Sequence, residues 1–376
     1  MDTAMESERF KSNHTMINVT KTFLPPMSEY TRLLEDVWKS AHVTNHGPLV
    51  VRLERALAER LGARHCFFVG NGTLALQIAI KALELRGQII TTPFSYVATT
   101  SSIVWEGCQP VFVDIQPDTL TLDPALIEAA ITQDTRAILA THVYGNPCDV
   151  DEIARIAAKN SLRVIYDGAH AFDIAYQGKP ISSFGDITTF SFHATKLFHT
   201  VEGGAITCED DALAHRISYL RNFGHNGPEG FWGLGINGKN SEFHAAMGLC
   251  VLPYVDGIID ERRVLSTRYD ERLKRSPAIR RPMIRPGTRY NYAYHAVLFQ
   301  SEAVLLEARD ALNRHDIFPR RYFYPDLSQL PYVASQRMPV GASVAERVLC
   351  LPLYAGLPTD AVDAISDIVL AVVEGR

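Results

Sequence analysis

The chain has 376 residues, 47% hydrophobic and 21% charged, enough for a full core and more than one domain. A net charge of −5 argues against nucleic acid or an anionic membrane as the main partner. No apolar run reaches bilayer length, and the N-terminus lacks an apolar signal region, so a cytoplasmic protein is expected. Residues 1–25 read as a loose N-terminal arm, with Met1 and Met16 as alternative starts. Helical spacing follows at Leu33–Trp38 and Val50–Leu61. Strand-like runs then appear at His65–Val69, Gln88–Thr92, Pro110–Asp114, Ala137–His142, Leu162–Asp167, Asp186–Phe192 and Gly204–Cys208. Helical stretches lie between several of them, at Leu74–Leu85, Ala98–Glu106, Pro124–Ala130 and Val150–Lys159. Apolar strands alternating with amphipathic helices predict an α/β fold with a mostly parallel sheet covered on both faces. Residues 242–275 read as a long helical link interrupted near Pro253. Beyond it, Arg289–Phe299, a helix near Glu302–His315 and a last helix at Thr359–Val373 predict a smaller α+β domain. Cys66, Cys108 and Cys250 sit among apolar neighbours, and none of the six cysteines forms a C-x-x-C pair; they read as small core residues of a reducing compartment.

Gly70-Asn71-Gly72-Thr73 joins the first strand to a helix and points backbone N–H groups at something anionic. Residues 70–75 fit G-x-G-x-x-A, but the second strand ends in Thr-Thr-Pro without the carboxylate a dinucleotide site needs. The triphosphate motif G-x-x-x-x-G-K-[ST] is absent. A single phosphate at the helix N-terminus is the functional reading, and a purely structural turn is the alternative. Asp167 ends an apolar strand at the sheet edge where ligands bind in α/β folds; a helix cap or metal ligand is the alternative there. Lys196 lies in a segment poor in other charges, against the ordinary reading of a solvated lysine. His193 and His199 match no zinc spacing, so no metal is expected.

Six stretches, "GNGTLAL", "TPFSYVATTSSI", "VFVDIQPDTLTLD", "YDGAHAFD", "SFHATKLFHTVEGGAI" and "GINGKNSEFHAA", resemble in order the DegT–StrS family of pyridoxal-phosphate sugar aminotransferases. The resemblance runs from about residue 17 to the C-terminus. It implies the fold of type I pyridoxal-phosphate transferases: a seven-stranded, mostly parallel sheet in a large domain (26–255) and a smaller C-terminal domain (256–376). It further implies that Lys196 holds the aldehyde of pyridoxal 5′-phosphate as a Schiff base and shuttles the proton, while Asp167 pairs with the pyridine nitrogen. His170 would lie near the phenolic oxygen and Tyr96 would stack on the ring. Gly72, Thr73 and Ser191 would hold the phosphate, and Asn237 would be lent to the neighbouring subunit's phosphate, which implies a homodimer with shared sites.

"RNFGHNG" and "RYFYP" look most like members acting at C4 of nucleotide-linked 4-keto-6-deoxyhexoses. The implied reaction passes the amino group of L-glutamate to dTDP-4-keto-6-deoxyglucose, giving a building block for surface polysaccharide such as O-antigen. Arg221, Lys239 and Tyr324 are candidate sugar-nucleotide contacts, with a solvated surface role as the alternative for each. Competing readings are transamination at C3, a GDP- or UDP-linked sugar, or a cofactor-binding regulator without turnover.

Overall fold

Strand β1 (His65–Val69) begins the central sheet, followed by β2 (Gln88–Thr91), β3 (Gln109–Phe112), β4 (Thr135–Thr141), β5 (Arg163–Asp167), β6 (Ile187–Ser191) and β7 (Gly204–Cys208). In this computed structural model, which describes residues 16–375, the seven pair in the order β1-β7-β6-β5-β4-β2-β3. All neighbours are parallel except β7, which runs antiparallel to both β1 and β6. Strands this apolar need cover on both faces. One face packs into a cluster with Leu53, Leu57, Ala245 and Val251 from helices Pro48–Leu61 and Glu242–Val251. The other packs against Leu76, Ile80 and Ile217 from helices Gly72–Ala82 and Asp211–Leu220.

The C-terminal part has its own core. Helices Val255–Leu273, Glu302–Asn313 and Thr359–Val373 close over the antiparallel pair β8 (His295–Leu298) and β9 (Val348–Leu351). Helix Val255–Leu273 feeds two cores, with Val255 and Ile258 in the first and Leu265, Tyr269 and Leu273 in the second. A cluster containing Phe94, Tyr144, Tyr294 and Phe323 joins the two parts.

Two expectations need correction. Residues 16–23 are fastened: Ile17–Asn18 pairs in parallel with Ile317–Phe318, Thr22 Oγ1 donates to the Ala194 carbonyl at 2.9 Å, and the His199 ring donates to the Phe23 carbonyl at 2.6 Å. These partners lie about 170 to 300 positions away, beyond the reach of local composition; residues 1–15 lie outside the described residues. Second, the helical stretch Glu242–Leu273 is long and apolar enough by length and composition to cross a membrane, with half of the apolar window buried inside the protein. Ala245, Ala246, Val251 and Val255 supply that apolarity and are core residues. The six cysteines are all buried and free.

Candidate active site

The register of β1, β7 and β6 sets Val69, Gly204 and Ser191 side by side. The Gly70–Thr73 loop leaves β1 at this row, and Gly70 N–H is fixed to the Gly238 carbonyl at 3.0 Å. Asn71 caps the helix that follows, its Oδ1 accepting from Leu74 N–H at 2.8 Å. A methyl group on Gly72 would stand 2.9 Å from Ser191 Cβ, and one on Gly204 would stand 2.6 Å from the Asn71 carbonyl. Only glycine allows the loop this close. The result gathers the Ser191 hydroxyl beside the first helical N–H groups, Gly72 and Thr73, which have no intrahelical acceptor.

Asp167 ends β5, opposite Thr141 on β4 and Thr189 on β6. Its Oδ2 accepts from Thr99 Oγ1 at 2.7 Å and its Oδ1 from Ala169 N–H at 3.0 Å. Burial pushes its carboxyl above the usual range, only partly opposed by those donors and by Lys196. A buried carboxylate in this state still favours a cationic partner.

Lys196 is half-buried, and desolvation lowers its amine to about 8 against the pull of Asp167. Its Nζ donates to the Tyr294 hydroxyl at 3.2 Å. A small pocket is lined by Ala169, His170, Ser191, Thr195, Lys196 and Tyr294, among others. His170 is held neutral chiefly by burial, and its Nδ1 accepts from Tyr144 N–H at 3.2 Å. That places the ring proton on Nε2. The ring stacks on Phe323 at 5.4 Å and meets Tyr294 edge-on at 5.1 Å.

Lys196, Asp167, His170 and Ser191 are therefore gathered in one place, with Gly72 and Thr73 beside Ser191. Tyr96 precedes the helix Val97–Trp105 and is 58% exposed, with its ring 6.4 Å from Phe323. Asn237 accepts from Lys239 Nζ at 2.8 Å, and that ammonium lies 4.4 Å over the Phe223 ring. Burial, then the charge of Arg221, lowers the Lys239 amine. Arg221 is not a solvated surface group: it is buried, ion-paired with Glu54, and donates to the Phe68 carbonyl at 3.1 Å. Tyr324 is half exposed beneath the Arg321 guanidinium, 3.6 Å from its ring centre.

Sequence reasoning missed Tyr294 and Thr99. Thr99 lies three residues after Tyr96, where the turn of a helix brings a hydroxyl back toward the strand end. The signal for Tyr294 was the aromatic run "NYAYH" opening an apolar strand.

A seven-stranded, mostly parallel sheet with Asp167 at a strand end and Lys196 in the loop beside it has the fold of the pyridoxal-phosphate sugar aminotransferases. Residues 27–370 match the model of the DegT/DnrJ/EryC1/StrS aminotransferase family, and the chain belongs to that family. It is similar to a dTDP-4-amino-4,6-dideoxy-D-glucose transaminase of Shigella dysenteriae, 40% identical over 93% of this chain and 97% of the relative. A transaminase of the same name from Escherichia coli is 38% identical over 95% and 99%. Among solved structures, DesI in the presence of its TDP-sugar product superimposes with a TM-score of 0.91, at 33% identity over 96% of this chain and 94% of the other.

Proposed function

We propose that this protein is a pyridoxal 5′-phosphate-dependent aminotransferase that passes the amino group of L-glutamate to C4 of dTDP-4-keto-6-deoxyglucose. The observation that carries the reading is the half-buried Lys196 amine, lowered to about 8 beside the buried Asp167, in a chain so similar to transaminases of that name. The donor set fits the cofactor. The helix N–H groups of Gly72 and Thr73 and the Ser191 hydroxyl suit a phosphate, Asp167 suits a pyridinium, and Lys196 suits an aldehyde. When bound, pyridoxal phosphate supplies the aldehyde that carries the amino group and a protonated ring that draws electrons from the carbon losing its proton.

The chain's own residues do the rest. With its amine at about 8, roughly a quarter of Lys196 is neutral at pH 7.5, against well under a hundredth at the ordinary value of ~10.4. That neutral Nζ would hold the cofactor's aldehyde with loss of water and, once freed by the donor amine, would take the proton from the donor's α-carbon and deliver one to the sugar's C4 in the second half-reaction. Asp167 would hold the ring nitrogen's proton; a pair at ~4 Å in an effective dielectric of ~20 is worth roughly 4 kcal/mol before desolvation. His170, with its proton on Nε2, would donate to the cofactor's phenolic oxygen, and Tyr96 would cover one face of the ring.

Asn237 serves the phosphate of a second copy in a homodimer. The exposed Phe231, Trp232, Leu234 and Ile236 just before it support a buried role in that assembly. Arg221 keeps the Glu54 pair in place, and Lys239 and Tyr324 remain the candidates for sugar-nucleotide contact. The six buried thiols fit a reducing cytoplasm, where the product enters surface-polysaccharide synthesis such as O-antigen.

The test uses purified protein loaded with the cofactor. Glutamate bleaches the yellow band, and among dTDP-, UDP- and GDP-linked 3- and 4-ketosugars only the dTDP-4-keto-6-deoxyglucose arm restores it, with NMR placing nitrogen on C4. Nitrogen on C3, or turnover confined to another nucleotide, overturns the substrate assignment. A yellow protein that glutamate leaves unchanged points to a regulator.

A further inference from the structure

We infer that Arg320 binds a carboxylate of the amino donor, an inference that rests on the aminotransferase reading above. Two consecutive arginines follow the short strand Ile317–Phe318, and their side chains have different fates. Arg321 is committed: Nη2 donates to Glu302 at 2.7 Å and to the Glu346 carbonyl at 3.2 Å, and its guanidinium lies on Tyr324. Arg320 has its backbone N–H and carbonyl both paired with Cys350 on β9, at 3.1 and 2.8 Å, so its position in the chain is fixed. Its exposed guanidinium rests 5.5 Å from the Tyr322 ring centre and has no carboxylate partner among the described residues.

Tyr322 in turn packs edge-on against Tyr294, 5.6 Å between ring centres, and the Tyr294 hydroxyl is the acceptor for Lys196 Nζ at 3.2 Å. An unspent cation therefore stands one aromatic ring beyond the partner of the reacting amine. The Tyr322 hydroxyl, raised first by burial, is drawn back by both Arg320 and Lys196, so it lies within the field of both charges.

The chemistry of the donor calls for such a group. An amino acid brings a carboxylate on the same carbon as the amine it gives up. Lys196 is the one cation lining the small pocket, where His170 is neutral, and its own amine is engaged in the reaction. A guanidinium with one face on a tyrosine keeps its N–H edge free for a two-point contact with a carboxylate. The diphosphate of the sugar nucleotide offers similar oxygens. One arginine whose neighbour is already spent suits a single carboxylate better than two linked phosphates.

The experiment compares Arg320→Gln and Arg320→Lys with the parent holoenzyme. Bleaching of the cofactor band is measured against glutamate concentration, amination of the ketosugar is measured from protein preloaded with pyridoxamine phosphate, and the affinity for glutarate is measured by calorimetry. The expected result for Arg320→Gln is a rise of about 30-fold in the glutamate concentration needed for half-maximal bleaching, the scale of losing a charge-assisted contact. Glutarate should weaken in parallel, the ketosugar step should stay within about twofold, and Arg320→Lys should recover part of the loss. Thermal melting should match the parent, because the exposed guanidinium makes no side-chain hydrogen bond or ion pair among the described residues. Unchanged dependence on glutamate and glutarate overturns the inference. So does a matching loss in the ketosugar step alone, which would assign Arg320 to the diphosphate. If glutamate fails to bleach even the parent protein, it is the aminotransferase reading that has failed, before any variant is compared.

Discussion

Lys196 donates a 3.2 Å hydrogen bond to the hydroxyl of Tyr294, a residue 98 positions away that leads into β8. Lysine and tyrosine come from the two different parts of the chain, and the contact closes the pocket between them. Burial pushes the Tyr294 hydroxyl well above its ordinary value, so it meets the amine as a neutral acceptor.

Tyr294→Phe keeps the ring and removes the acceptor. The charged form of Lys196 loses a partner, so its amine should fall below about 8. Turnover should drop about tenfold with a small change in stability, the scale of one hydrogen bond. The pH dependence of cofactor uptake, followed by absorbance, should move to lower pH.

Asp167→Asn should bind the cofactor within about twofold of the parent yet lose more than about 100-fold in turnover, because the ring nitrogen no longer keeps its proton. Cofactor retention read from absorbance, beside a coupled assay for 2-oxoglutarate, separates the two effects. A variant running at full rate would remove Asp167 from its assigned role.

Glu242 has a structural rather than a chemical task. It is buried, and its two oxygens accept from Leu49 and Val50 N–H, at 2.8 and 2.9 Å, at the start of helix Pro48–Leu61. Glu242→Gln turns one acceptor into a donor facing a donor, at a cost of about 2 kcal/mol. Urea unfolding should show that loss, with activity per folded molecule unchanged.

Four buried histidines set the acid side of the stability profile: His142, His170, His199 and His295, with burial lowering His199 against its bond to the Phe23 carbonyl. Burial, assisted by Arg285, lowers His142 to about 3, and burial also holds His170 and His295 well below their usual value. A folded value below the unfolded one of ~6.5 means that the unfolded chain binds more protons beneath that pH. Stability is therefore full above about 6.5 and falls as pH drops from there, by about 1.4 kcal/mol per unit for each histidine that stays neutral in the fold. The urea midpoint should decline between pH 6.5 and 5. In His142→Phe, which keeps a ring for stacking on Tyr166, the decline should be about a quarter shallower.

The sheet was legible because its strands are short apolar runs between helices, and β1 and β7 have the predicted bounds. Helix Asp211–Leu220 was not, since only Ala214, Ile217 and Leu220 of its face are buried and histidine and serine interrupt the pattern. Helix Pro339–Arg347 and β9 also escaped notice; the helix is short, and β9 gains its meaning only from pairing with β8. At the site, Asp167 and Lys196 were readable from apolar segments that end in a charge. Tyr294 was not, because its value lies in a contact between distant segments. Arg221 read as a surface or substrate group because nothing local announces its pairing with Glu54, far earlier in the chain.

The helix Val255–Leu273 contributes side chains to two cores at once. Neither body can come apart while its neighbour stays whole, since each shares that rod. Lys196 and Tyr294, one from each part, should therefore lose their contact in a single unfolding transition rather than in two.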